Sequence, residues 1–195
     1  MQKADKIADM TDALIAMLRF AAKREGTLVP LRDELSNLKN YMTIQNVRYY
    51  NRILLHCEAE KGLLDRRVPK MILQPLVENA IFHGLAEKEE EGVIAIRIRR
   101  RPPYLSIEIS DNGVGMDQET LHAVQAALGR HGGDPEDGTD GIGLVNIQRR
   151  LQLHYGQQYG MRCMSEPGKG TSFHLQLPDD ETQGGDRIAE NIDRG

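Results

Sequence analysis

From about residue 52 the recurrence of apolar residues changes from helical spacing to period two, and this change constrains the fold more than any other feature. Ile94, Ile96 and Ile98 alternate with Ala95, Arg97 and Arg99; Leu105, Ile107 and Ile109 alternate with Ser106, Glu108 and Ser110. Leu55, Cys57 and Ala59, Met161 and Cys163, and Phe173, Leu175 and Leu177 repeat the pattern. Alternation in every strand describes a sheet that is buried on one face and wet on the other. Arg97, Arg99, Glu108 and Arg162 fall on the wet face, where they read as solvated cross-strand charges and not as a binding patch.

The buried face needs a cover. Three helical stretches, roughly 70–84, 117–128 and 142–155, can supply it, which gives an α/β fold: a two-layer sandwich with helices on one face. Pro102-Pro103 turns one hairpin. Two helices precede the sheet. Over residues 5 to 24, Ile7, Met10, Leu14, Met17, Leu18 and Ala21 recur at helical spacing, and a second helix starts near Pro30, which suits the first helical position, with Asp33 and Glu34 in its first turn. Two readings of this pair stand, a hairpin packed on itself and a helix-mediated dimer contact, with the balance slightly toward the second. The organisation expected is therefore 1–50 as a helical dimerisation or linker segment, 51–178 as the main domain and 179–195 as a flexible tail. Residues 129 to 140, GRHGGDPEDGTD, carry no apolar side chain and read as a mobile functional loop or a disordered one.

With 39% hydrophobic and 28% charged residues the chain is of globular type, and a net charge of −4 argues against a general nucleic-acid surface. No apolar run approaches the roughly 20 residues of a membrane span. Cys57 and Cys163 lie among apolar strand neighbours and read as buried thiols, which fits a reducing, cytosolic compartment.

The chemistry-bearing motifs come in a fixed order. In LVENAIFHG (76–84) Leu76, Val77, Ala80 and Ile81 form an apolar stripe, while Glu78, Asn79 and His83 occupy the other side without a Lys or Arg. SDNGVGM (110–116) follows a strand, so Asp111 stands at the strand end and Gly113 and Gly115 free the backbone for close approach. In GTDGIGLVNIQRRL, Gly141 and Gly143 open a helix whose N-terminus suits phosphate. EPGKGTSF (166–173) reads on its own as a hairpin turn. A dinucleotide fingerprint is excluded because Gln118 stands where a third glycine would be needed, and no Gly-Lys-Ser/Thr follows for a Walker A loop.

Taken in this order the elements resemble the N, G1, G2 and final Gly-Thr boxes of the Bergerat (GHKL) ATP-binding fold. The stretches LRDELSNLKNYMTIQNVRYYNRI and VPKMILQPLVENAIFHG, with Pro69, Gln74, Pro75, Glu78, Asn79, His83 and Gly84 in place, resemble the LytS/YesM-type sensor histidine kinases of bacteria. The resemblance implies a mixed, mostly antiparallel sheet and the binding of ATP with Mg²⁺. Asn79 would be the Mg²⁺ ligand, Glu78 would orient groups around it or bind water on the metal, and His83, one turn on at i+4 and on the same side, would reach a phosphate. Asp111 would take the adenine amino group, with Thr171 through water. Gly113 and Gly115 would floor the base. Gly141, Gly143 and Leu144 would close on the triphosphate, with residues 129 to 140 as a lid. Gln45 and Arg48 match a Q-x-x-R pattern whose bland alternative is a contact between helix and domain.

By the same resemblance the γ-phosphate goes to a histidine of a longer sensor and thence to a response regulator, within a homodimer anchored in the membrane. This chain would be a cytoplasmic portion without the acceptor segment, which would precede residue 1. Where the family often carries Lys before the motif histidine, this chain has Phe82. A hydrolysing GHKL clamp or a nucleotide-sensing module are the alternatives. Hydrolysing members place a Glu one turn before the Asn; here that position is Pro75, which has no basic group, and Glu78 points about 100° round the helix from Asn79.

Overall fold

The computed structural model describes residues 2–22, 28–86, 88–129 and 142–179. Along the chain run α1 (Gln2–Ala22), β1 (Leu28–Pro30), α2 (Leu31–Arg48), β2 (Ile53–Ala59), β3 (Arg67–Pro69), α3 (Gln74–Asn79), a π-helical turn (Ala80–Leu85), β4 (Gly92–Arg101), β5 (Tyr104–Asp111), α4 (Gln118–Gly129), α5 (Ile142–Tyr155), β6 (Gly160–Glu166) and β7 (Gly170–Pro178). The period-two stretches form a five-stranded sheet in the order β2-β4-β5-β7-β6. Only β2 and β4 run parallel; the other three pairs are antiparallel, so the sheet is mixed and mostly antiparallel.

The register places Arg97 directly opposite Glu108, and their side chains meet at 3.2 Å on the wet face. Arg99 meets Glu58 of the edge strand at 3.1 Å. On the other face Ile94, Ile96, Ile98, Leu105, Ile107, Ile109, Phe173, Leu175 and Leu177 form one core with Leu76, Val77 and Ile81 of the α3 region and Leu144, Ile147 and Leu151 of α5. Leu31, Leu35, Leu38, Tyr41 and Met42 of α2 belong to this same core.

Four expectations are corrected. The helix expected over 70–84 begins only at Gln74, because residues 70–73 form a turn in which Met71 takes φ 58°. From Ala80 this helix widens into the π turn, so His83 is rotated relative to the i+4 position that an α-helix would give it. Pro30 is the N-cap of α2 rather than its first helical residue, since its ψ of 145° is extended. It closes β1, which pairs with β3 in a small sheet that periodicity did not reveal. Cys57 is exposed, not buried, in β2 at the edge of the sheet. Cys163 is buried as expected, and burial pushes its thiol up to about 11.

The first helix packs against α2, leaving Ile7, Leu14, Ile15 and Leu18 exposed. The expected loop over 129–140 lies, apart from Gly129, outside the described residues, as do Gly141 and the tail beyond Asp179.

Phe173 is among the largest fully buried side chains and sits at the middle of β7, between β5 and β6. Phe173→Ala should therefore reduce the unfolding free energy by about 3–5 kcal/mol. Urea denaturation followed by circular dichroism measures this, and a loss under about 1 kcal/mol would take Phe173 out of the core.

Candidate nucleotide site

The LVENAIFHG helix divides as its pattern demands. Leu76, Val77, Ala80, Ile81, Gly84 and Leu85 are buried, Glu78 and Asn79 are half-buried, and Phe82 and His83 are exposed. Among the described residues the side chains of Asn79 and His83 make no hydrogen bond. Glu78 accepts one, from Gln74 Nε2 at 2.8 Å.

The helix end packs backbone to backbone on the end of β5. Val114 N–H donates to the Gly84 carbonyl at 3.0 Å. A Cβ on Gly113 would lie 2.4 Å from that carbonyl oxygen, and a Cβ on Gly84 would lie 2.9 Å from Asp111 Oδ1. The loop after Asp111 packs equally closely on the β6–β7 hairpin. Gly115, at φ 70°, would drive a Cβ to 2.1 Å from the Glu166 carbonyl oxygen. Gly170, at φ 86°, would drive one to 2.0 Å from the carbonyl oxygen of Asp111.

Asp111 is at the centre of this packing. Its Oδ1 accepts from the N–H of Gly113 at 2.8 Å and of Thr171 at 3.2 Å, and neither bond uses Oδ2. Burial holds its carboxyl above the ordinary range, opposed by these two N–H groups and by the charge of Lys88. Thr171 Oγ1 lies 2.9 Å from Ser165 Oγ. Ser165 in turn donates to the Gly170 carbonyl and accepts from Met116 N–H. Lys88 Nζ bonds the Asn112 carbonyl at 2.8 Å, and Asn112 Oδ1 accepts from Val93 N–H.

The sequence reading missed Ser165 and Lys88, and gave Gly170 and Asn112 no role of their own within the motifs that contain them. Ser165 stands directly opposite Thr171 across β6 and β7, a relation that exists only once the register is known. Gly170 had a signal as the glycine of the final Gly-Thr box, but the packing role against Asp111 was not read from it.

At the start of α5, Gly143 is exposed, and the nearest atom to a Cβ there would be Pro75 Cβ at 4.0 Å. The Leu144 side chain is buried in the core, so only its backbone is free to face a ligand. Asn79, Asp111, Gly113, Gly115, Thr171 and Gly143 thus come from four separate stretches of chain.

Comparison with known proteins finds the model of the histidine kinase-, DNA gyrase B- and HSP90-like ATPases over residues 64–181, and a histidine kinase model over residues 1–53. The chain belongs to this ATPase family. It is 36% identical over 165 residues to an uncharacterized sensor-like histidine kinase of Staphylococcus epidermidis, covering 85% of this chain and 31% of that protein. It is 31% identical over 173 residues to the sensor histidine kinase YesM of Bacillus subtilis, covering 89% of this chain and 28% of that one. The sensor protein kinase HptS of Staphylococcus aureus matches at 31% over 166 residues, 85% of this chain and 31% of that one. The chain thus spans about a third of the length of the curated relatives it matches. Among solved structures, the histidine kinase domain of the Erythrobacter litoralis EL346 blue-light activated kinase aligns with a TM-score of 0.53 at 17% identity, over 91% of this chain and 81% of that one. The catalytic domain of the histidine kinase ThkA aligns at 0.54 and 18%, over 78% and 94%. These two likenesses speak for the fold. ATP is the nucleotide of the family.

Because burial raises Asp111, the folded chain takes up a proton there at a pH where the unfolded chain does not. The stability this contributes is present below about pH 4 and is lost as pH climbs through the raised value. In Asp111→Asn that component disappears. Urea midpoints of wild type and variant, compared from acid to neutral pH, should drift in the variant's favour as pH rises. A constant difference would show that the Asp111 carboxyl is not perturbed.

Proposed function

We propose that this chain binds ATP together with Mg²⁺ and forms the catalytic portion of a sensor histidine kinase, presenting the γ-phosphate to a histidine carried by a longer protein. The observation that carries the reading is the buried Asp111 carboxylate, whose Oδ1 is held by two backbone N–H groups while Oδ2 is not. A carboxylate so oriented accepts from the amino group of adenine and repels the carbonyl of guanine. Thr171 assists through water, and the loop of Gly113 and Gly115 lies under the base.

Asn79, whose amide is uncommitted, is the metal ligand. A single amide suits Mg²⁺, which keeps several waters and takes further ligands from phosphates. When bound, the ion neutralises charge on the transferring phosphoryl group. Glu78, held by Gln74, orients water beside it, and His83 faces the phosphates. Gly143, the Leu144 backbone and Gly141, the last outside the described residues, supply N–H groups at the start of α5.

Residues 1–50 serve as the dimerisation and linker segment, 51–178 as the catalytic domain and 179–195 as a tail. In the parent, a homodimer, the phosphoryl group passes from histidine to an aspartate of a response regulator. Among the described residues no helix is long and apolar enough to cross a membrane, and the reading places this portion on the cytoplasmic side of a membrane-anchored sensor.

Calorimetric titration of ATP with and without EDTA tests the metal role. Affinity should fall on chelation, and Asn79→Ala should lose most of that dependence while remaining folded; equal affinity in both conditions would remove Asn79 from the metal. Base choice is read separately: ATP should outcompete GTP on the wild type, and Asp111→Ala should erase the preference. Equal competition by GTP on the wild-type chain would mean that Asp111 does not read the base.

A further inference from the structure

The helix that carries Asn79 does not cap itself. Its N-cap residue is Leu73, which has no side-chain acceptor, and the N–H groups at a helix start need partners. The partner comes from α2. The Glu34 carboxylate, 2% exposed, accepts from the N–H groups of Met71 at 2.5 Å, Ile72 at 3.0 Å and Leu73 at 3.1 Å. Three successive N–H groups turned toward one carboxylate form a nest, which explains why Met71 holds φ 58°. The other side of the same turn is gripped from α5, where the Arg150 guanidinium donates to the carbonyls of Lys70 and Met71. Burial still pushes the Glu34 carboxyl up, against the pull of these N–H groups and of Arg150. A buried carboxylate is costly unless its lone pairs are met, and Glu34 spends that cost on one turn.

A second link reaches the same helix one turn on. Asn37 Nδ2 donates to Gln74 Oε1 at 2.7 Å, and Gln74 Nε2 donates to Glu78 Oε1 at 2.8 Å. Tyr41, four residues along α2, is 6% exposed, and its phenol is pushed up by burial first and then by the Glu78 carboxylate. Asn37 Oδ1, Tyr41 Oη and Gln45 Oε1 are buried without a partner among the described residues. An apolar helix face would serve core packing better than this polar one. Polar groups are aimed instead at the two points, the start of the helix and Glu78, that fix the placement of Asn79.

We infer that Glu34 and Asn37 of α2 are positioning residues for the metal and phosphate end of the nucleotide site. They act through Gln74, Glu78 and the turn before α3 to hold Asn79 in place. The inference rests on the proposed binding of ATP with Mg²⁺. Its consequence is that α2, which lies in the segment matched by the histidine kinase model, is a structural part of the ATP site rather than only a connection to it.

The 195-residue chain is tested as Glu34→Gln, Asn37→Ala and Asn79→Ala, and as the two double variants with Asn79→Ala. Hydrogen exchange without nucleotide and calorimetry with ATP, in Mg²⁺ and in EDTA, are the two readouts. Glu34→Gln and Asn37→Ala should raise exchange over residues 72–85 while β5 stays protected. Each should weaken binding of ATP in Mg²⁺ by about 10–100-fold, the range for supports of a metal ligand, with little change in EDTA. In the Asn79→Ala background neither should weaken binding further, because the effect passes through Asn79. A plain core role would instead loosen β5 as well, or weaken binding equally with and without metal, or add to Asn79→Ala; any of these overturns the inference. If Glu34→Gln does not fold, Asn37→Ala decides alone by the same criteria. Wild-type chain that binds no ATP in Mg²⁺ overturns the proposed function itself, whereas wild-type binding that both variants retain in full overturns only the positioning role.

Discussion

Three stretches of chain meet at the Asp111 carboxylate, and the site exists because they can come that close. The strand end supplies the carboxylate, the loop after it supplies the Gly113 N–H, and the last strand supplies the Thr171 N–H. The helix carrying Asn79 closes on the same point through Gly84. A Cβ at Gly113, Gly115 or Gly170 would run into backbone and one at Gly84 into the Asp111 carboxylate, so these four glycines work as packing residues first. In the proposed reading that packing would be the floor under the base. In the proposed reading the burial that raises the Asp111 carboxyl would also sharpen its choice of base, since an acceptor kept from water discriminates more strongly between a donor and a second acceptor.

The second constraint lies on the opposite side of the Asn79 helix. One face of α2 buries Leu31, Leu35 and Leu38 in the core of the sheet layer, while Glu34, Asn37 and Tyr41 bring polar groups into the same interior. The hydrophobic contacts tie α2 to the domain without direction, and the hydrogen bonds give it a register against α3. The Asn79 helix is thereby fixed at one end by glycine packing on β5 and at the other by a carboxylate from α2. Between them, at Ala80, the helix widens into its π turn.

Much of this was legible in the residues. Period-two spacing gave every strand of the large sheet, and the wet-face charges pair across strands as the alternation implies. Helical spacing located α1, α2, α4 and α5 within a few residues. The site motifs were legible because their chemistry departs from ordinary surface: an Asn and a His without lysines, an Asp at a strand end, glycines in pairs. Less legible was whatever depends on a partner distant in the chain. Cys57 alternates like its neighbours, yet it is exposed because β2 has a strand on one side only. The helix expected from residue 70 starts at Gln74 because a carboxylate from 37 to 39 residues earlier binds the preceding turn.

The sequence by itself therefore determined the layers, the strand faces and the four stretches proposed to form the candidate site, since each rests on the spacing of neighbouring residues, which local geometry fixes. Tertiary structure alone decided that Ser165 stands opposite Thr171, that Glu34 caps a helix it precedes by some forty positions, and that Leu144 turns its side chain into the core. Those relations depend on strand register and helix docking. Hydrophobic burial, which is proportional to area and indifferent to direction, sets neither of them without the polar contacts that only the assembled chain brings within reach.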